Sequence, residues 1–506
     1  MSRYISMAVL MLAVCSVAVA QLPATSQPAP VVRSWHVPEV LKRVPILTHD
    51  AKGRLPMICI TPFAMNDQDN SFAQGKPLSA EVIRQLKARG LTQFIRSSVT
   101  YIPYALALQK EGAGVIVMDD WAFNGPNGND ENDQPVKAWL HVLPKDYKPL
   151  ERPAQQKVFP CPLVLDGWRA KAERVRTVFH KFKEAGVEVQ GVWLDLEVEP
   201  YGGMAQWKEA QACSRCQKQF PRGVLDDHKK YAEFISRWRA QVFSAYVVAP
   251  ILESYPNCSV TNWCEVISSP EIPTATWTAN GAMAPRGIGM YTAANPVVYG
   301  DTAFYGMHWK KEWNWPLDVP HMDRLYTQMM LMQISTHEAN ARRLAPEKLS
   351  IPWVARVCMD DPDPKIPILS RERYREVLRH AWLRGADGMQ IFNPAGAKDA
   401  PAPVEEIVDA VAVYDEMLAF REFLEDGATM NLSVPAATDD GPFWSGLRLK
   451  DRAVIRAFTM GDKPVKAKVK AFENTPEVEI TCPPKGATYM LTRHGDKVDV
   501  REVAAK

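Results

Sequence analysis

The sequence predicts an α/β protein: a (β/α)8 TIM barrel followed by a small C-terminal β-sandwich. Three observations predict it. Eight short apolar runs recur between residues 55 and 392, nearly all separated by amphipathic helical patterns. No glycine-rich dinucleotide fingerprint follows the first run, which weighs against a doubly wound open sheet, the structural alternative. After about residue 428 the helical period gives way to period-two alternation. A chain of 506 residues has room for one large barrel and an extra module.

The elements follow in chain order. Arg3 supplies a positive start, Met7 to Val19 is mostly apolar, and Ala18-Val19-Ala20 is a small-x-small cleavage site before Gln21. Residues 1–20 therefore read as a signal peptide cleaved after Ala20, too short for a membrane span, and the mature chain as secreted or periplasmic. Residues 21–45, rich in Pro, Ala, Ser and Gln at their start, read as a flexible leader. The barrel is expected over 46–427 and the sandwich over 428–506.

Leu55–Thr61 is the first strand-like run. Ser79 caps a helix through Arg89, and Gly90 stops it. Gln93–Ser97 is the second run, and a short helix near Tyr104–Glu111 leads to the third, Ala113–Met118. The helix Ala172–Ala185 carries Val175, Phe179 and Phe182 on one face and precedes the fourth run, Val187–Leu196. A long helix over Asp226–Leu252 leads to Cys258–Val266, then an irregular stretch at 267–296 to the sixth run, Val297–Phe304. A helix over His321–Leu344 precedes Ile351–Met359. Ser370 caps a helix through Arg384, Gly385 follows, and Gly388–Phe392 is the eighth run. A last helix covers Val404–Phe423. Beyond it, Val465, Ala467, Val469 and Ala471 alternate with other residues, and 452–459, 477–482 and 486–492 are strand-like.

Composition excludes some classes. Hydrophobic residues at 46% and charged residues at 23% argue against a wholly disordered chain. Sixty basic against 58 acidic residues leave a net charge of +2, which gives no reason to expect nucleic acid or an anionic membrane as partner. Eight cysteines follow residue 20, at 59, 161, 213, 216, 258, 264, 358 and 482. Cys59 and Cys358 read as buried thiols. Cys213 and Cys216 read as a structural disulfide in an exported chain, with a redox pair or half a zinc site as alternatives. One such pair with no second pair or histidine cluster beside it leaves no metal ligands to assign, and no cofactor is expected. His180, His321, His337 and His380 fall in or at the ends of helices and read as surface or packing residues.

Barrel enzymes hold their chemistry at the C-terminal ends of the strands. There the fourth run places Asp195, Glu197 and Glu199 on one side of an extended segment, with Trp193. Three crowded carboxylates fit a wet, polar mouth, and crowding raises at least one pKa, as a general acid needs. Other strand ends offer Asp119, Asp120 and Trp121, then Glu265, then Asp301, Tyr305, His308 and Trp309, then Asp360, and last Asn393, as substrate contacts. Trp313 and Trp315 extend the aromatic wall after the sixth run. Paired carboxylates beside aromatic platforms are what glycosidic bond cleavage requires.

The stretch Gly191-Val192-Trp193-Leu194-Asp195-Leu196-Glu197 resembles the fourth-strand signature of barrel glycoside hydrolases. Asp195-x-Glu197 is similar to the Asp-x-Glu of chitinase-like and hyaluronidase-like enzymes, which implies Glu197 as acid and Asp195 as its helper. The same stretch resembles the Trp-x-Asp strand of the α-glucosidase group, which implies Asp195 as nucleophile. Cys213-Ser-Arg-Cys216 resembles a Cys-x-x-Cys loop after this strand in bacterial glycosyl hydrolases. The run before Asp195 lacks the fuller aspartate series of chitinases, and Asn393 stands where they carry tryptophan. The expectation is a secreted glycoside hydrolase acting on a poly- or oligosaccharide. The alternative is a carbohydrate-binding protein that keeps the barrel without turnover.

Overall fold

The computed structural model describes residues 37–59, 78–119, 138, 140–148, 161–194, 204–262, 266–269, 272–277, 292–300, 318–344, 349–356, 367–392, 402–435 and 440–503. Helix α1 (Val37–Arg43) precedes strand β1 (Met57–Cys59). Helix α2 (Ala80–Lys87) leads to β2 (Leu91–Thr92) and β3 (Ile95–Arg96). Helix α3 (Ile102–Lys110) leads to β4 (Val115–Asp119), and α4 (Asp166–Glu184) to β5 (Val189–Leu194). Two short helices, α5 (Met204–Ala212) and α6 (Ser214–Gln219), come before the long α7 (His228–Phe243). A π-helical turn at Ser244–Val248 joins α7 to α8 (Ala249–Ser254).

The expected unbroken helix is thus interrupted, and Pro250 explains where. It has no N–H for the carbonyl of Tyr246, and its ring crowds that carbonyl, so the ladder widens by one residue. Strand β6 (Ser259–Asn262) follows. The stretch expected to be irregular contains a hairpin of β7 (Val266–Ser269) and β8 (Ile272–Trp277), and then β9 (Ala293–Ala294). Strand β10 (Val297–Tyr299), helix α9 (Val319–Leu344), β11 (Leu349–Ser350) and β12 (Trp353–Ala355) come next. Helix α10 (Arg371–Leu383), β13 (Gln390–Ile391), α11 (Ala402–Leu418) and α12 (Arg421–Asp426) complete this part.

All eight expected runs carry parallel strands. They lie in a five-stranded sheet ordered β10-β12-β13-β1-β2 and a four-stranded sheet ordered β3-β4-β5-β6. No ladder joins the two sheets among the described residues. The chain crosses between them through Gln93 and Phe94, and on the far side Thr292 N–H donates to the Val260 carbonyl at 3.0 Å. Strand β5 reads VQGVWL, apolar except for Gln190 and buried except there, the composition of a parallel strand covered on both faces.

The two sheets meet through aromatic side chains. The Trp193 and Trp353 rings, one from each sheet, lie 3.9 Å apart between centroids. Phe94 packs edge-on to Trp193 at 6.3 Å, and Phe392 reaches Trp353 at 5.4 Å and Tyr299 at 5.2 Å. The Asn295 side chain accepts from the Trp353 indole N–H and donates to Gln390 Oε1 at 3.0 Å. Asn295, Gln390 and Trp353 thus form a small polar network beside the aromatic contacts.

The two serine caps read correctly, whereas the helix expected from Ala172 starts at Asp166 and the last helix is split after Leu418. Ser79 Oγ accepts from Val82 N–H, and Ser370 Oγ accepts from Arg373 N–H. Gly90 adopts φ +66, and a Cβ there would meet Leu47 at 2.9 Å and Tyr414 at 3.0 Å, so only glycine fits. The leader expected to run to residue 45 is not wholly flexible. Helix α1 lies inside it, and Val40, Leu41 and Val44 are buried because an apolar cluster with Leu86, Leu91 and Tyr414 receives them.

The C-terminal part is antiparallel throughout. Strands β14 (Ala428–Thr429), β15 (Phe443–Arg448), β16 (Arg452–Phe458), β17 (Val465–Val469), β18 (Val478–Cys482), β19 (Ala487–His494) and β20 (Lys497–Val503) form two sheets. Their orders are β14-β15-β16-β19-β20 and β17-β18. Alternation along β16 decides the packing. Ala453, Ile455 and Ala457 share a core with Ala467, Val469, Ile480 and Cys482 of the small sheet. Val454 and Phe458 face the other way, into the cluster built with α10 and α11.

Arg456 is on that second face. Its Nε and Nη2 donate to Glu376 Oε1 and Oε2 of α10 at 2.7 and 2.8 Å. His380 Nδ1 and Arg384 Nε each lie 2.7 Å from Ser445 Oγ. Burial alone would raise the Glu376 carboxyl, but hydrogen bonds with His380 and Arg456 outweigh it and hold it well below the usual range. Burial pushes His380 down to about 4.

Candidate functional site

The carboxyl edge of the four-stranded sheet is the candidate site. Parallel pairing sets Asp119 opposite Leu194, and Leu194 opposite Asn262. Strands β4, β5 and β6 therefore end level with one another. Asp119 is the last residue of β4, and the Asp195–Glu199 segment begins one residue past the end of β5. The carboxyl edge of a parallel sheet is where α/β proteins bind ligands, because the loops diverge there and the strands' side chains stop.

Most of the expected site residues lie outside the described residues: Asp120, Trp121, Asp195, Glu197, Glu199, Glu265, Asp301, Tyr305, His308, Trp309, Asp360 and Asn393. What the structure gives for them is the chain position from which each departs. Asp301 follows Gly300 just past β10, Asn393 follows Phe392 past β13, Asp360 comes after β12, and Glu265 after β6. Trp193, expected on the carboxylate side of its strand, is buried against Trp353, and its indole N–H has no partner among the described residues. It is therefore part of the buried aromatic contact between the two sheets.

The helix histidines fall as expected where they are described. His180 is exposed and 3.3 Å from Glu184, His321 is 2.6 Å from Asp318, and His380 is buried packing.

The cysteines differ from expectation. Cys213 and Cys216 do not form a disulfide; both are free and buried, as is Cys161. Cys213 is the residue before the first turn of α6 and Cys216 lies in that turn, and both sulfurs lie near Cys161, which precedes α4. Cys161 Sγ is 3.5 Å from Cys216 Sγ, and His141 Nδ1 is 3.7 Å from Cys216 Sγ. The ligand atoms of His141, Cys161, Cys213 and Cys216 all lie within 4.8 Å of one another. The sequence shows only the Cys-x-x-Cys half of this set. Cys161 and His141 stand 55 and 75 residues before Cys216, and only the packing of the two segments brings them to it. The hydrogen bond with Cys216 draws the Cys161 thiol down to about 3, and the same contact pushes Cys216 up.

Among the described residues no helix is long and apolar enough to cross a membrane. No known family profile matches the sequence, and no curated protein matches it. Solved structures do match, and they include glycoside hydrolases. An alpha-amylase from H. orenii is 12% identical with a TM-score of 0.40, over 78% of this chain and 83% of that one. A debranching enzyme from Nostoc punctiforme is 10% identical with a TM-score of 0.41, over 89% and 100%. A maltogenic alpha-amylase from Thermotoga neapolitana is 9% identical with a TM-score of 0.42, over 87% and 97%. At such scores these likenesses leave the reaction to be argued from this chain's own residues.

Proposed function

We propose that this chain is an exported glycoside hydrolase whose two parallel sheets close into a barrel and whose chemistry sits at their carboxyl edge. The single observation that carries the reading is the level ending of β4, β5 and β6, with Asp119 at one strand end and Asp195-x-Glu197-x-Glu199 starting at the next. Glu197 is assigned as the general acid that protonates the leaving oxygen. Asp195 is assigned as nucleophile or as the group that orients the reacting centre. Glu199, Glu265, Asp301 and Asp360 supply further carboxylates at the mouth, and Asp119, Asp120 and Asn393 contacts to sugar hydroxyls. Trp121, Tyr305, His308 and Trp309 supply stacking and hydrogen bonding. The substrate is a poly- or oligosaccharide, and the signal peptide ahead of Gln21 delivers the enzyme to it outside the cytoplasm.

The role division follows from charge. An oxocarbenium-like transition state needs a proton at the leaving oxygen and negative charge at the ring, so two carboxyl groups in different protonation states suffice. Crowding of three carboxylates along one extended segment supplies that difference, because they cannot all ionise without repulsion.

The test is reducing-sugar release across a broad polysaccharide panel by the mature chain and by Glu197→Gln. Loss of a general acid lowers kcat by about 10²–10⁴-fold. Cleavage of one glycan by the parent, lost in the variant while binding persists, supports the assignment. Equal cleavage by both proteins removes Glu197 from the role. Retention of a glycan by both with no cleavage moves the chain to the carbohydrate-binding reading.

A further inference from the structure

We propose that His141, Cys161, Cys213 and Cys216 bind one Zn²⁺ ion tetrahedrally, as a structural staple between two loops that leave the carboxyl edge of the four-stranded sheet. The site is argued independently of the glycosidase reading.

The geometry argues first. Zinc holds sulfur at about 2.3 Å and imidazole nitrogen at about 2.0–2.1 Å. In a tetrahedron those bonds put neighbouring ligand atoms roughly 3.5–3.8 Å apart. Cys161 Sγ to Cys216 Sγ is 3.5 Å and Cys216 Sγ to His141 Nδ1 is 3.7 Å. All four ligand atoms fall within 4.8 Å of one another, which suits one ion and is too tight for the terminal ligands of a four-iron cluster. Three thiols and an imidazole form a set that zinc favours over hard cations such as Ca²⁺ or Mg²⁺. Four protein ligands leave no open position, so the site is structural rather than catalytic.

The surroundings argue second. Val142 N–H donates to Cys213 Sγ at 3.3 Å, the kind of outer contact that orients a thiolate ligand. Ser214 N–H donates to the Val142 carbonyl at 3.0 Å, and Arg215 donates to the Leu140 and Ala138 carbonyls at 3.3 and 3.5 Å. These bonds hold the 138–142 segment against the start of α6, so His141 reaches the sulfurs by a fixed backbone path. All three cysteines are fully buried in the core that includes Trp168, Tyr231 and Phe220.

The disulfide reading fares worse. Three thiols cannot pair completely, and any bridge leaves one of the three buried thiols out of it. A bridge also needs its sulfurs at about 2.05 Å, whereas the chain holds Cys161 and Cys216 at zinc-like spacing. With zinc bound, the excursion between β4 and α4 is tied to the helices that follow β5.

The experiment uses the full mature chain, purified from zinc-supplemented medium and dialysed against metal-free buffer. Elemental analysis should find about one zinc per chain. Metal-free protein titrated with Co²⁺ alone should develop thiolate-to-cobalt charge-transfer absorption and the intense visible bands of a tetrahedral ion. Cys216→Ser should cut retained zinc at least tenfold, while Cys258→Ala, outside the cluster, leaves it unchanged. His141→Cys should keep the zinc and strengthen the charge-transfer band, because a fourth thiolate replaces the imidazole. That variant and the parent's cobalt spectrum decide the matter even if Cys216→Ser fails to fold. Absence of zinc with a weak octahedral cobalt spectrum overturns the proposal. So does non-reducing peptide mapping that finds a disulfide among Cys161, Cys213 and Cys216.

Discussion

Two buried polar clusters hold this molecule together, and they are built on opposite plans. The seam between α10 and strands β15 and β16 gathers Arg379, His380 and Arg456 around Glu376, and joins Arg384 to Ser445. Its carboxylate meets guanidinium groups supplied by the chain, so its charge is balanced within the polypeptide. The cluster of His141, Cys161, Cys213 and Cys216 gathers three sulfurs around one imidazole. No guanidinium or ammonium group is among its members, and under the zinc proposal the ion takes the place that Arg456 holds in the seam. The first cluster is therefore complete on folding, while the second is completed by a metal. Both join parts of the chain that are distant in sequence, so each staples long loops, where closure entropy is large.

The comparison breaks most visibly at the metal. Free zinc at about 1,000 times its dissociation constant stabilises a site that only the folded chain forms by about 4 kcal/mol. Chelation should therefore lower the thermal midpoint markedly, and added zinc should restore it. A chelator without effect on the melt would place the thiol cluster on the same self-sufficient plan as the seam. The seam should answer differently. Arg456→Met leaves the buried Glu376 carboxylate short of its bidentate partner and costs about 3 kcal/mol or more, insensitive to chelator. Glu376→Gln combined with Arg456→Met should recover at least about 1 kcal/mol of that loss in a double-mutant cycle of denaturant melts. Simple additivity would mean the pair is not coupled.

How far the sequence reached follows from how local each signal is. The eight parallel strands were legible because each is a short apolar run with a helix before or after it, and the Ser79 and Ser370 caps and the Gly90 and Gly385 stops are local chemistry. Helices α5 and α6 were missed because nine and six residues show too little periodicity. The β7–β8 hairpin was missed although Val266, Ile267, Ile272, Thr274 and Thr276 are β-branched, because strand propensity is weak evidence without clean alternation. Asp195, Glu197 and Glu199 were legible only by position, from the end of an apolar run. The thiol cluster was half legible. Cys213 and Cys216 are neighbours in sequence, but Cys161 and His141 join them through tertiary packing, which no spacing rule records.

Acid should separate the two clusters further. His380 titrates at about 4 in the folded chain, below its ordinary value of 6.5, because burial disfavours its charged form. The unfolded chain therefore takes up the proton first as pH falls. Stability contributed by neutral His380 is whole above about pH 6.5 and is lost as pH drops toward 4. The depressed Glu376 carboxyl adds a loss of the same sign at still lower pH. Melts between pH 7 and 4.5 in the presence of chelator should fall by on the order of 2 kcal/mol, and His380→Gln should flatten that slope. An unchanged slope in the variant would assign the acid sensitivity elsewhere.

The smallest effect lies at the helix that presents the seam. Ser370 caps α10, accepting from Arg373 N–H while its own hydroxyl donates to Asp323 Oδ2 at 2.5 Å and its N–H to Asp323 Oδ1 at 2.7 Å. Ser370→Ala removes the cap and one of the two bonds to that carboxylate. It should cost about 1 kcal/mol in urea melts, with m unchanged, because the same surface is exposed on unfolding. Zinc content should not move, since α10 belongs to the other cluster. A variant that lost zinc along with stability would show that the two staples fold as one cooperative unit. Loss of stability alone would show that each secures its own part of the chain.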